Sequence, residues 1–229
     1  MSQLGELTQK VDAFFARHGI YRVDNMSHLA RAAELYLKGW RPRRRNVVPI
    51  SNSGAVCVMA ADIGDRLGLQ LPPLAADTQA RLAKVLPGFA SFKNPIDITA
   101  ALLSNSGLFG AILPILADDP NVDMLLIAIP VAGEGYDLEA FGRDTAAFAQ
   151  TTGKVVAVAA PQDIVQAPFR ARGIPCFYDE ADALAALKQL AAHTELMLRV
   201  PAPAPAPLQV TVRSGTSRRS QKVHRRRWR

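Results

Sequence analysis

With 229 residues, 49% of them hydrophobic, the chain has room for one substantial domain plus smaller segments and is too apolar for wholesale disorder. Its formal charge of +7 is unevenly spread: residues 201–229 hold eight Lys or Arg and no acid, which leaves residues 1–200 at −1. The basic balance belongs to that tail, so charge gives no ground for reading the body as a nucleic-acid-binding domain. Cys57 and Cys176 lie in apolar stretches without metal-ligand spacing, as expected in a reducing compartment. No run reaches the ~20 apolar residues of a membrane span, and the opening MSQLGELTQK lacks the order of a secretory signal. A soluble, cytoplasmic protein with no membrane partner is the expectation.

In chain order, residues 5–39 read as a helix, a turn at Gly19, one short strand and an Ala/Leu-rich helix through Leu35. The same succession recurs later. Arg17-His18-Gly19-Ile20-Tyr21-Arg22-Val23-Asp24 lines up, with one gap, against Arg172-Gly173-Ile174-Pro175-Cys176-Phe177-Tyr178-Asp179 and the helix that follows through Leu190. One strand with two helices cannot bury a core of its own. Residues 1–40 are therefore expected to be a helix-strand-helix remnant closing a preceding, similar domain. The run 41–45 (Arg41-Pro42-Arg43-Arg44-Arg45) reads as a solvated basic linker rather than a localisation or nucleic-acid patch.

From Asn46 the chain alternates short β-branched runs with amphipathic stretches. Strands are predicted over 47–50, 95–98, 123–129, 154–159 and 175–178, and helices over 55–67, 78–86, 108–117, 138–150, 164–172 and 181–192. Runs such as MLLIAI and VVAVAA are apolar at every position, which suits strands covered on both faces. The fold class predicted for 46–200 is α/β: a flavodoxin-like open parallel sheet with helices on both faces. Residues 201–229 begin with PAPAPAP, a stiff linker, and continue as an Arg-rich stretch expected to be disordered.

Two identical tetrapeptides each precede a helix: Ser51-Asn52-Ser53-Gly54 and Ser104-Asn105-Ser106-Gly107. A strand–turn–helix of small residues presents unpaired N–H groups at the positive end of the helix dipole, an anion site for phosphate or carboxylate. Ordinary N-capping explains the same residues. The first tetrapeptide carries more weight, because it stands at the carboxyl end of the first strand, where ligands bind in such sheets. The segment Lys93-Asn94-Pro95-Ile96-Asp97-Ile98-Thr99 gathers Asn, Asp and Thr around a short strand, either to orient a ligand or to hold a loop. The loop 130–136, with Gly133 and Gly135, allows close backbone approach or serves as a connector. Cys57, among Val56, Val58 and Met59, reads as a buried, inert thiol. His18, His28, His193 and His224 form no triad or metal pattern in sequence, and no catalytic residue or metal ligand is assigned.

The run VVPISNSGAVCVMAADIGDRLGLQLPPL, then LPGFASFKNPIDIT and DPNVDMLLIAIP, resembles the second flavodoxin-like domain of NDP-forming acyl-CoA synthetases, relatives of succinyl-CoA synthetase. The resemblance covers about residues 10–200. It implies a part in converting acyl-CoA, NDP and phosphate to acid, CoA and NTP through a phosphohistidine. Ser51, Asn52, Ser53, Gly54 and Ala55 match the turn that faces the phosphate; Asn94, Pro95, Asp97 and Thr99 match the loop lining the acyl and phosphate pocket. The family's S-H-T-G stretch, which bears the histidine, would fall at or before Met1. CoA and ATP or ADP with Mg are then expected to bind CoA-binding and ATP-grasp parts outside this chain, which would be a fragment or subunit unable to turn over alone. A non-catalytic ligand-binding or regulatory module, and weak polyanion binding by the tail, are the competing expectations.

Overall fold

The computed structural model describes residues 3–199; the linker and basic tail expected over 201–229 lie outside the described residues. Along the chain the elements are α1 (Gln3–Arg17), α2 (Met26–Arg31), α3 (Ala33–Leu37), β1 (Val47–Ser51), α4 (Gly54–Leu67), α5 (Ala76–Val85), β2 (Ile96–Asp97), α6 (Ala101–Ser104), α7 (Gly107–Ala117), β3 (Met124–Ala128), α8 (Leu138–Thr152), β4 (Val155–Ala159), α9 (Asp163–Arg170), β5 (Cys176–Phe177) and α10 (Glu180–Leu198).

The strands form one parallel sheet in the order β2-β1-β3-β4-β5, the flavodoxin-like order. Every residue of β1, β3 and β4 is buried, because the crossovers required by parallel pairing cover both faces. Alternate side chains enter opposite layers. Leu125, Ile127, Val156 and Val158 join Leu82, Ile112 and Phe169 beneath α5, α7 and α9. Met124, Leu126, Ala157 and Ala159 meet Ala60, Leu184 and Leu187 beneath α4 and α10.

Polar groups finish the amino edge of the sheet. Lys154 Nζ donates to the carbonyls of Leu116, Ala117 and Asp119 at 3.1, 2.8 and 2.9 Å, placing a cation on the negative end of α7. Its burial pushes the Lys154 pKa below the ordinary lysine value, against the opposing pull of Asp119 and Asp123. Two arginines of the run expected as a solvated linker are fastened to the body instead. Arg44 Nε donates to Asp123 Oδ2 at 2.9 Å, and Arg45 makes two bonds to the Glu195 carboxylate, at 2.8 and 2.6 Å.

The N-terminal repeat is structural, though in a different register from the gapped alignment. Gly19 (φ +67°) and Gly173 (φ +70°) end α1 and the turn after α9 in the left-handed region. Ile20 N–H donates to Phe15 O at 2.9 Å, and Ile174 N–H to Phe169 O at 3.0 Å. The next helix is capped by Asn25 in one copy, accepting from His28 N, and by Asp179 in the other, accepting from Asp182 N. Asn25, not Asp24, is thus the counterpart of Asp179, and the two copies correspond without a gap. The strand expected within this unit does not form: residues 20–23 have no regular secondary structure and join no ladder among the described residues. The helix expected through Leu35 is broken at Ala32 into α2 and α3.

This unit is fixed to the body through α10. Ala32 and Leu35 are fully buried in the same cluster as Leu187 and Leu190. His193 on α10 lies 3.1 Å from Tyr36 Oη and 3.0 Å from Gly19 O. α1, by contrast, keeps an open apolar face: Val11 is 37% exposed, whereas its repeat equivalent Val165 is fully buried.

The Arg45 guanidinium holds the Glu195 carboxyl below its ordinary value of 4.5. A depressed carboxylate contributes stability above its unfolded pKa, and that contribution is lost as pH falls through the folded value. Glu195→Gln is therefore expected to lower Tm slightly at pH 7, by less than ~1 kcal/mol because the pair is partly solvated. In thermal melts the gap to wild type should close as the pH drops below the ordinary glutamate range; a gap unchanged by pH would contradict the assignment.

Candidate functional site

The switch point of this sheet lies between β1 and β3, and the chain leaves β1 there through Asn52 and Ser53 into α4. Ser51 is buried at the end of β1, and its Oγ accepts from Ser53 N at 3.1 Å. Ser53 stands at the N-cap with extended backbone and makes no side-chain cap bond. The first bond of the helix is Cys57 N–H to Ser53 O, so the amides of Gly54, Ala55 and Val56 precede the intrahelical ladder. Donors and the positive end of the α4 dipole therefore coincide.

The register of β2 brings a carboxylate to this turn. Asp97 pairs with Ser51 across the ladder, and Ile98 N–H donates to Ser51 O at 2.9 Å. Asp97 Oδ1 accepts from Thr99 N at 2.9 Å, and Thr99 adopts φ +62° before its Oγ1 accepts from Ala101 N at 3.3 Å. A Cβ built on Gly54 would stand 2.8 Å from Asp97 Oδ2. The position therefore excludes any larger residue unless Asp97 moves. The anion turn of the sequence reading already has a negative group against it.

The loop after β3 closes a third side. Asn52 Nδ2 donates to Val131 O at 2.8 Å and to Tyr136 Oη at 2.9 Å, while Asn52 Oδ1 is buried with no partner. Ala132 N–H is held by Gln162 Oε1 at 3.0 Å. Beside the turn, a pocket of about 220 Å³ is lined by Val56, Met59, Ala128, Pro130 and Tyr178 and is almost wholly apolar. A larger groove of about 540 Å³, between α5, α7 and α8, shares no residue with this site.

Of the residues singled out in sequence, Ser51, Asn52, Ser53, Gly54, Ala55, Asp97 and Thr99 are brought together. Asn94 and Pro95 are not. Asn94 Nδ2 donates to Val47 O and Pro72 O, both at 3.0 Å, at the amino end of β1. That is about 13 Å along the strand from Ser51, at ~3.3 Å per residue. The second tetrapeptide is spent on holding the fold: Asn105 Oδ1 accepts from Gly107 N, and Ser106 Oγ accepts from Asp137 N. Tyr136 and Val131 gain their place through Asn52, more than seventy residues earlier; their only sequence signal was the glycine-bearing loop after the most apolar strand. Among the described residues no group of three His, Cys, Asp or Glu side chains could hold a metal ion, and no helix is long and apolar enough to cross a membrane.

Fold and site together define an open parallel α/β domain that presents a helix N-terminus and a carboxylate at its switch point. No protein-family profile matches the chain. It is 29% identical over 201 residues to the ADP-forming acetate–CoA ligase I of Archaeoglobus fulgidus, covering 85% of this chain and 28% of that protein. It is 32% identical over 118 residues to the alpha subunit of ADP-forming acetate–CoA ligase II of Pyrococcus furiosus, covering 50% of this chain and 24% of that one. Among solved structures, the protein PH0766 of Pyrococcus horikoshii OT3 superposes with a TM-score of 0.72 at 24% identity, over 82% of this chain and 44% of that chain. The chain's homologues are thus ADP-forming acetate–CoA ligases. The chain spans less than a third of the length of these curated relatives.

Cys57 follows the turn but is chemically closed. Its Sγ lies 3.5 Å from Ile96 O, and burial, reinforced by the Asp97 charge, pushes the thiol up to about 12. Cys176 is pushed up to about 12 by burial as well. Since the thiolate is the nucleophile, neither should alkylate with iodoacetamide in the native protein at pH 8, and both should in urea. Rapid native labelling of Cys57, read by peptide mass, would contradict this placement.

Proposed function

We propose that this domain forms one wall of the acyl and phosphate pocket of a multi-domain NDP-forming acyl-CoA synthetase. The observation that carries the reading is the coincidence of three open amides, at Gly54, Ala55 and Val56, with the α4 dipole at the sheet's switch point. In such a reaction phosphate displaces CoA from an acyl thioester, and the phosphoryl group then passes through a histidine to the nucleotide. The amides would stabilise negative charge on the phosphate or acyl phosphate without reorganising. CoA, nucleotide and histidine would come from other domains or subunits. The carboxyl edge suits closure by such a partner: Val131, Ile164 and Tyr178 are 67, 70 and 68% exposed there. The N-terminal unit, repeating the end of the main domain, is read as the close of a second domain of the same kind.

Asp97 gives this wall a selectivity. Its Oδ2 is an acceptor beside the amide donors, so the best-suited ligand carries a hydrogen to donate. A protonated phosphate oxygen does; sulfate and carboxylate do not. In amide NMR titrations at matched ionic strength, phosphate is expected to shift residues 53–57 more than sulfate, with millimolar affinity, roughly 4 kcal/mol. Asp97→Asn, which keeps the acceptor for Thr99 N, should remove the preference, and Gly54→Val should abolish both responses. Equal shifts by the two anions in the wild type, or binding that survives Gly54→Val, would reduce the turn to a helix cap.

A further inference from the structure

A second polar concavity lies where the N-terminal unit meets α10, on residues separate from the α4 turn. It has a volume of about 160 Å³ and is lined by Tyr21, Arg22, His28, Arg31, Lys188 and Gln189, among others. Three permanent cations converge on it from three separate segments: the extended stretch after α1, helix α2 and helix α10. The one acidic side chain in its lining, Asp24, is 94% exposed and turned towards His28 Nδ1 at 3.6 Å.

The ion pairs of this cluster leave donors free. Arg22 meets Asp12 through Nη1 at 2.6 Å, and Arg31 meets Asp182 through Nη2 at 3.1 Å. A guanidinium carries five N–H groups in a rigid fork, so one contacted nitrogen on each still leaves donors for a ligand. The partner of Lys188 is neutral: its Nζ donates to Tyr21 Oη at 3.1 Å and lies 5.8 Å from that ring's centroid. The volume equals about five waters at ~30 Å³ each, space for one tetrahedral oxyanion and too little for a nucleotide base with its sugar.

We infer that this pocket binds a phosphate-type oxyanion, held by Arg22, Arg31 and Lys188 with Tyr21 Oη, and that the ligand thereby ties the N-terminal unit to the body. Two sources share this chemistry, inorganic phosphate and the phosphate end of a monoester, whose remainder would project into solvent.

The test is amide NMR of the full chain with inorganic phosphate, with AMP as a monoester, and with sodium chloride at matched ionic strength. Phosphate or AMP, but not chloride, is expected to shift residues 21–31 and 188–189. The response should persist in Gly54→Val, which separates this site from the α4 turn. Lys188→Gln should weaken binding about tenfold, the loss of one charge-assisted bond, and Lys188→Arg should restore most of it. Arg22→Gln, at a half-exposed position, provides a second variant with the same expected loss. Tighter binding of AMP assigns the site to a monoester, and equal or weaker binding assigns it to free phosphate. Shifts matched by chloride, or unchanged in both Gln variants, would overturn the proposal.

Discussion

Parallel pairing of β1, β3 and β4 is the constraint on which the remainder of this structure depends. Parallel neighbours must be joined by crossovers, so helices cover both faces and the strands become apolar at every position. The same pairing points all strand ends of one kind in one direction. The turn at 51–54, the Asp97–Thr99 corner and the loop 130–136 therefore share an edge although they are far apart in sequence. The opposite edge receives Lys154, Arg44 and Asn94, whose bonds all go to backbone carbonyls or to acids of the domain itself. The candidate site and the polar support are thus separated along the strand direction.

At the candidate site Gly54 stands directly against Asp97. A carboxylate near a helix N-terminus gains roughly 0.3–1 kcal/mol from the dipole, which favours this arrangement with no ligand present. The same charge would oppose any anion that offers acceptors only. Glycine fits here without displacing Asp97, because a Cβ at position 54 would stand 2.8 Å from the carboxylate oxygen. In the proposed site Gly54 and Asp97 would act as a unit: one opens the space, and the other would set the chemistry of what enters.

The sequence showed the α/β alternation, the strand cores and the first tetrapeptide, because these rest on local patterns: apolar runs, small residues and a helix that follows. It did not show where Asn94 would stand. Asn94 and Asp97 are three residues apart, yet the pairing of Ile50 with Ile96 sends them to opposite ends of a short strand, and that register is a tertiary property. Nor could the tetrapeptides be ranked with certainty by composition, since Asn105 and Ser106 are spent on Gly107 and Asp137, whereas Asn52 reaches across to Tyr136. The segment around Tyr21 repeats the one around Pro175 in its turn and its cap but not in its pairing. A strand needs a neighbour as well as a pattern.

In the proposed function the carboxyl edge, and not the amino edge, is the face that meets the phosphate of the reaction. Hydrogen exchange at short times, with and without inorganic phosphate, reads this out. Slowed exchange is expected at 53–57, extending to 97–99 and 130–136, with residues 41–46 and 152–154 unchanged. Protection confined to the amino edge, or no difference at 53–57 at saturating phosphate, would contradict it.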